Sequence, residues 1–290
     1  MQNNQLTVAI IGCGTLGTAI AAGILNPKDK AFQINRLICT VGTEPSRIRL
    51  EDALSDHKSR LTVFTANENI REVQEADVVL LAFKPFKRDD VFAVPGFKEA
   101  LQDKFVLSIM AGITTAELSR LTFGESHDSN NQSLQSVRAM PNMATRIREA
   151  VTLYTSSPAT TKENLELASW VFSQVGEAHQ IPEKSFDICA VLVNCAGSLL
   201  LLAIDGLLDA AVAEGVRRPE VQNLVVNSAI GMMKLVPAGD HPGVLREKIA
   251  SPGGCSIRAL LELEKLGVRS AFTSAILAAA EKSKQMSSTR

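Results

Sequence analysis

The chain has 290 residues, enough for two domains or one large one, and its 46% apolar and 21% charged content is that of a soluble globular protein. A formal net charge of −1 excludes the strongly basic balance that nucleic acids or anionic membranes attract. Cys13, Cys39, Cys189, Cys195 and Cys255 are scattered with no C-x-x-C pair, which argues against a disulfide framework or a zinc site and for a reducing compartment.

Met1-Gln-Asn-Asn-Gln5 lacks the basic, apolar and cleavage-site sequence of a secretion signal, so a cytoplasmic protein is expected. Leu6–Ile11 is a short β-branched run that reads as a buried strand. Gly12-Cys13-Gly14-Thr15-Leu16-Gly17 follows, then Thr18–Leu25 at helical spacing. A G-x-G-x-x-G turn between a strand and a helix is the context that dinucleotide binding requires. Gly12 permits the turn, Gly14 lets a pyrophosphate approach the backbone, and Gly17 lets the helix pack on the strand.

The second strand, Arg36–Val41, ends without the acid that an NAD site usually places there for the ribose 2′-hydroxyl. It offers Thr40 instead, with Thr43, Ser46 and Arg47 close behind. Hydroxyls and a guanidinium suit a 2′-phosphate, so NADPH is the expected cofactor. Glu44 stands among them and suits a free ribose, which leaves NADH open.

Leu61–Thr65 is a third strand, with Asn67 in the loop after it. Asp77–Phe83 is a fourth, stopped by Lys84-Pro85, and Phe105–Met110 a fifth, ending in Ala111-Gly112 before a helix from Thr114. These ends fall at the carboxyl edge of a doubly wound sheet, where such folds bind ligands, and this brings Ala111 into the cofactor site. Glu125–Ser133 reads as an exposed loop. Ser136–Met140 and Ala150–Tyr154 are a sixth and a seventh strand, followed by a helix from near Thr161 through Trp170.

From Ser185 the pattern is helical only, broken at Gly215, Pro219, Pro237-Ala-Gly239 and Pro242. A β/α part followed by an all-helical part predicts two domains, 1–178 and 179–290, with the boundary near Glu177–Pro182. Asp187–Glu214 is apolar on nearly every side, but Asp205 and Asp209 interrupt it, so it reads as a buried helix and not a membrane span. Covering such a helix in a small domain calls for a homodimer.

Ser251-Pro252-Gly253-Gly254-Cys255-Ser256 is a tight turn running into a helix with Ile257, Leu260, Leu261 and Leu263. The free N–H groups at such a start, with the Ser251 and Ser256 hydroxyls, form a nest for a small carboxylate. On pattern alone, an ordinary helix start with a serine cap is the commoner reading.

The segments GCGTLG, Ala82-Phe-Lys84-Pro85, Arg138-Ala-Met140-Pro141-Asn142 and SPGGCSIRALLELEKLG, in this order over almost the whole chain, resemble the pyrroline-5-carboxylate reductase family. Gly239-Asp-His-Pro242 and Leu245-Arg-Glu-Lys248 support the likeness. The resemblance implies an α/β Rossmann-type doubly wound sheet followed by an all-α helical dimerisation domain. It also implies NAD(P)H and reduction of a cyclic imino acid, 1-pyrroline-5-carboxylate, to proline. Carried onto this sequence, it assigns Gly12, Gly14, Thr15, Leu16 and Gly17 to the pyrophosphate and Asn67 to the adenosine ribose. Ala82, Lys84 and Pro85 fall beside the cofactor, and Met140, Pro141 and Asn142 near the nicotinamide. Ser251, Gly253, Gly254 and Ser256 fall at the turn that takes the substrate carboxylate.

Two segments depart from the family pattern. Val193-Asn194-Cys195-Ala196-Gly197-Ser198 stands where the family reads S-G-S-G-P-A, and Met140-Pro-Asn-Met-Ala144 where it reads M-P-N-T-P. Both lie beside the expected substrate pocket, so Asn194 joins Cys255 among the candidate substrate contacts. The departures leave open an imine reductase of the same fold acting on a different cyclic imine. A reading of another class is a scaffold that binds NADPH without turnover.

Reducing a C=N bond needs a hydride donor over the imine carbon and a protonated nitrogen. A cyclic imine is basic enough to be partly iminium near neutral pH, so positioning matters more than a strong acid residue. Ser256 is the candidate to hydrogen-bond the ring nitrogen, and His57, His127, His179 and His241 read as loop or surface residues.

Overall fold

The computed structural model describes residues 5–65, 69–124 and 134–288; Asn67, His127 and the loop 125–133 lie outside the described residues. Strand β1 (Gln5–Ile11) turns into helix α1 (Thr15–Leu25), and β2 (Gln33–Val41), α2 (Glu44–Ala53) and β3 (Leu61–Thr65) complete the first half of a sheet. Helix α3 (Asn69–Glu75), β4 (Val78–Leu81), α4 (Arg88–Phe92), α5 (Phe97–Leu101), β5 (Phe105–Ser108), α6 (Thr115–Phe123) and β6 (Ser136–Pro141) build the second half. Then come β7 (Ala150–Ser156), α7 (Lys162–Ser173) and β8 (Gly176–Gln180).

Among the described residues the eight strands join one sheet in the order β3-β2-β1-β4-β5-β6-β7-β8. Neighbours run parallel except β6 and β7, which are antiparallel. The strand order reverses between β1 and β4, and in a doubly wound sheet the crevice at that reversal is where ligands sit.

The alternation of side chains sends the residues of the central strands to two cores. Val8 and Ile10 of β1 pack with Ile20 and Ile24 of α1 and with Trp170 of α7. Ala9 and Ile11 face the other way, against Val73, Phe97 and Leu118 of α3, α5 and α6. Burial on both faces explains the continuous apolar run of β1. Each fully buried Ile or Leu side chain stabilises such a core by about 1.5–3 kcal/mol.

The link between β6 and β7 is fixed by polar contacts. Asn142 Oδ1 accepts from the Ala144 amide at 3.2 Å and starts a 3-10 turn, Met143–Ile147. Arg148 follows with φ +60°. Its guanidinium donates to the Gly23 carbonyl at 3.0 Å and to the Asn26 carbonyl, which closes the C-terminal end of α1 where carbonyls lack helical partners. The turn is thereby tied to α1.

Strand β8 was not expected from the sequence. Gly176-Glu-Ala-His-Gln180 has neither β-branched residues nor apolar alternation and reads as part of a linker, yet it pairs parallel with β7 from Ala150↔Gly176 to Tyr154↔Gln180. As an edge strand it has one sheet partner, and that pairing makes a strand of it without local propensity.

The chain divides into two compact units. One runs to Ala190 and takes in the segment from Ser283; the other is Val191–Lys282. Within the first, Arg138 of β6 holds the start of helix α8 (Glu183–Ala213), with its guanidinium 2.8 Å from Glu183, 3.0 Å from Asp187 and 3.9 Å from the Phe186 ring centroid. The second unit is helical: the rest of α8, then α9 (Arg218–Met233), α10 (Pro242–Ile249), α11 (Cys255–Lys265) and most of α12 (Val268–Ser288). No residue of α9 or α11 is buried, although both carry large apolar side chains such as Leu224, Ile230, Leu261 and Leu263. A single copy of this unit leaves much apolar surface uncovered.

Candidate active site

Gly12 directly follows β1 with φ +79°, a backbone state that L side chains rarely adopt. A Cβ there would lie 2.5 Å from Phe83 Cβ, so the segment that follows β4 leaves no room for one. The Gly12 amide donates to Thr40 Oγ1 at 3.1 Å, and the Cys13 amide donates to the Thr40 carbonyl at 2.6 Å. Thr40 is 1% exposed, so its hydroxyl shapes the turn and is not presented to a ribose phosphate, which corrects the expectation for that residue.

Gly14 stands just before α1 with φ −84° and ψ −157°. A Cβ on it would meet nothing closer than the Gly12 carbonyl oxygen at 4.0 Å, so the space beside this backbone is open. The amides of Thr15, Leu16 and Gly17 occupy the first turn of α1, where N–H groups lack intrahelical acceptors, and this turn carries no acidic residue. Bare backbone, open space and a helix N-terminus fit a pyrophosphate. A Cβ on Gly17 would come within 3.3 Å of Cys13 Sγ, 3.4 Å of Ile10 and 3.5 Å of Ala82, so the glycine lets the helix pack closely on the strands.

The other expected residues follow β4, β5 and β6, which run parallel to β1, so they share its carboxyl edge. The Ala82 amide donates to the Ile11 carbonyl at 2.9 Å, Lys84 is exposed before the turn Pro85–Lys87, and Ala111 is half-buried after β5. Met140 and Asn142 are half-buried at the end of β6.

The ribose end differs from the sequence reading. Arg47 does not offer a free guanidinium: its Nε donates to Glu44 at 3.0 Å and its Nη1 to Glu51 at 2.8 Å. Those carboxylates push the arginine pKa further up, and the guanidinium in turn holds the Glu44 carboxyl below its usual range. Ser46 and, unexpectedly, Arg49 and Arg146 line a groove of about 460 Å³ with Gly14, Thr15 and Thr18. Helical spacing was the signal for Arg49, because residues three and four apart share a face with Ser46. Nothing local marks Arg146.

In the helical unit, Gly253 has φ +71° and the Gly254 amide donates to the Ser251 carbonyl at 3.0 Å, closing the turn before α11. A Cβ on Gly254 would lie 2.7 Å from Ser251 Oγ, so this glycine is required by the turn itself. No side chain caps α11 and no acid occupies its first turn, so the serine-cap alternative is not what forms here. Cys255 is exposed beside this bare helix end. Ser256 is half-buried and lines a mainly apolar groove of about 440 Å³ with Met232, Met233, Leu245, Arg246 and Leu260. Asn194 is exposed on α8, and Ser198 Oγ donates to the Cys195 carbonyl at 2.8 Å.

Residues 183–286 match the family model for pyrroline-5-carboxylate reductase dimerisation, and residues 7–112 match that described as NADP oxidoreductase, coenzyme F420-dependent. The chain is 32% identical over 293 residues to pyrroline-5-carboxylate reductase of Lophium arboricola, covering 95% of this chain and 91% of that protein. The enzyme of the same name from Methanosarcina acetivorans is 30% identical over 293 residues, covering 99% of each. The crystal structure of Plasmodium falciparum pyrroline carboxylate reductase with NADP bound superimposes with a TM-score of 0.81 at 26% identity, covering 99% of this chain and 100% of that one. With the glycine turn, the strand ends and the SPGG turn in the family's order, the chain belongs to the pyrroline-5-carboxylate reductases.

Proposed function

We propose that the chain reduces 1-pyrroline-5-carboxylate to proline, with NADPH as the hydride donor. One observation carries the reading: a single chain presents two glycine turns ahead of helices whose first turns hold no acidic residue. One suits a pyrophosphate and the other a carboxylate. The dinucleotide, when bound, supplies the hydride.

The chain's own groups orient and polarise. The amides of Thr15, Leu16 and Gly17 bind the pyrophosphate. Those of Cys255 and Ser256, at the first positions of α11, bind the substrate carboxylate and so fix the ring. The Ser256 hydroxyl accepts the N–H of the iminium and keeps the proton on that nitrogen while the carbon is reduced.

The Val193–Ser198 segment supports a second reading, in which the ring is larger or differently substituted, because Val193 and Asn194 add volume where the family pattern is small. NADPH oxidation measured over five- and six-membered cyclic imino acids and carboxylate-free imines separates the two. The proposal expects the five-membered imino acid to give the highest kcat/KM. Equal turnover of carboxylate-free imines would rule out the carboxylate nest.

We also infer a homodimer built on the helical unit, whose apolar side chains a second copy would cover. Helix α8 is long and apolar enough to cross a membrane, but it lies within the segment that matches the dimerisation model, and we read it as part of a subunit interface. Five free cysteines suit the cytoplasm, where thiols stay reduced.

A further inference from the structure

The groove between α1 and α2 holds two arginines that the sequence did not single out. Arg49 curls back along α2: its Nη2 donates to Ser46 Oγ at 2.9 Å and its Nε to the Pro45 carbonyl at 3.3 Å. Its guanidinium therefore lies at the N-terminal turn of α2, where the Thr43 hydroxyl donates to Ser46 Oγ at 2.9 Å. Arg146 reaches the same groove from the Met143–Ile147 turn, which Arg148 ties to α1. Among the described residues neither Arg49 nor Arg146 has a carboxylate partner. Arg47, their neighbour, has two.

We propose that Arg49 and Arg146, with Ser46 of α2, select a dinucleotide whose ribose carries a 2′-phosphate. The inference deepens the NADPH reading above and rests on it. With the pyrophosphate at Gly14, the adenosine ribose joined to it would bring its 2′-phosphate toward this groove, which Gly14 lines. Two guanidiniums without carboxylates complement a dianion, and the arginine fork matches phosphate oxygens in pairs. The same arrangement disfavours NAD. Its 2′-hydroxyl needs a carboxylate acceptor, and Glu44 is engaged by Arg47.

Calorimetric titration of the purified protein with NADP+, NAD+, 2′,5′-ADP and 5′-AMP tests this without relying on turnover. Arg49→Ala and Arg146→Ala should each weaken NADP+ and 2′,5′-ADP about tenfold or more, while NAD+ and 5′-AMP change less than about twofold. Arg49→Lys should restore part of the loss, since charge returns without the fork. The pair Glu44→Gln with Arg47→Gln removes that ion pair at constant net charge and should keep the preference for NADP+. Both arginines are exposed, so thermal unfolding should be unchanged in the variants.

Equal weakening of NADP+ and NAD+ by the arginine variants would overturn the proposal, as would loss of preference only in the Glu44/Arg47 pair. A wild type that binds NAD+ as tightly as NADP+ yet reduces the imine would overturn it and leave the proposed function standing. A wild type that binds none of the four ligands would overturn both.

Discussion

Thr40 Oγ1 accepts the Gly12 amide proton across 3.1 Å, so a buried hydroxyl on β2 sets the shape of the glycine turn that follows β1. Thr40→Val keeps the shape of the side chain but leaves that amide without its acceptor. The expected cost is about 1–3 kcal/mol in urea unfolding, together with weaker dinucleotide binding, because the turn loses a constraint. Thr40→Ser should restore most of both. If Thr40→Val matches the wild type in both measurements, the hydroxyl has no role in the turn.

The two glycines of this turn should respond in opposite ways. Gly12→Ala combines φ +79° with a 2.5 Å approach to Phe83 Cβ, so it should destabilise the protein by about 2–5 kcal/mol. Gly14→Ala has an allowed backbone conformation and no protein neighbour within 4 Å other than the Gly12 carbonyl oxygen at 4.0 Å. Its melting temperature should stay level or rise slightly, while NADPH affinity falls at least about tenfold as the methyl fills the phosphate's space. Normal NADPH affinity in Gly14→Ala would mean that the phosphates bind elsewhere.

These contrasts show what the sequence could and could not say. The Leu6–Ile11 run followed by Gly12, Gly14 and Gly17 identified a strand, a turn and a helix, because burial on both faces and φ above zero leave direct marks on residue type. Strand β8 left no mark, since its order comes from pairing with β7. Arg47 lies nearer to the strand end than Arg49, but the turn of the helix puts Arg49 on the face that looks across to α1, and Arg47 on Glu44 and Glu51. Arg146 arrives through the bonds of Arg148 to α1, a tertiary fact with no local signature. The SPGG turn was legible as a turn, while the mainly apolar groove beside Ser256 depends on α9 and α10 packing near α11.

Arg138 is 4% exposed, whereas its partners Glu183 and Asp187 are 46% and 42% exposed. This asymmetry orders three variants. Glu183→Gln with Asp187→Asn strands a buried cation and should cost about 3–5 kcal/mol, reduced by whatever water reaches the site. Arg138→Met leaves two carboxylates that solvent can take up and should cost less. Chemical denaturation that ranks Arg138→Met as the more damaging would place the main contribution in packing against Phe186.

Asp29 provides a pH readout. Its carboxylate accepts the Ala31 amide at 2.9 Å and the Trp170 indole N–H at 2.9 Å, and these bonds hold its pKa below the usual aspartate value. A depressed native pKa contributes stability that is present above the unfolded value of about 3.9 and is lost as pH falls through the native value. The fluorescence of Trp170, the single tryptophan, should therefore stay level down to about pH 3.9 and change below it. Asp29→Asn should abolish that acid step, and a step that survives in the variant would assign it to another group.

The most direct measurement of the central claim follows the hydride itself. Purified protein is incubated with 1-pyrroline-5-carboxylate and NADPH deuterated at the transferring position of the nicotinamide, and the product is read by mass spectrometry. The account predicts proline carrying one deuterium at C5, formed in step with NADPH consumed, with the label absent when the protein is omitted. NADPH consumed without labelled proline, or no reaction with this imine while another cyclic imine takes up the deuterium, would contradict it.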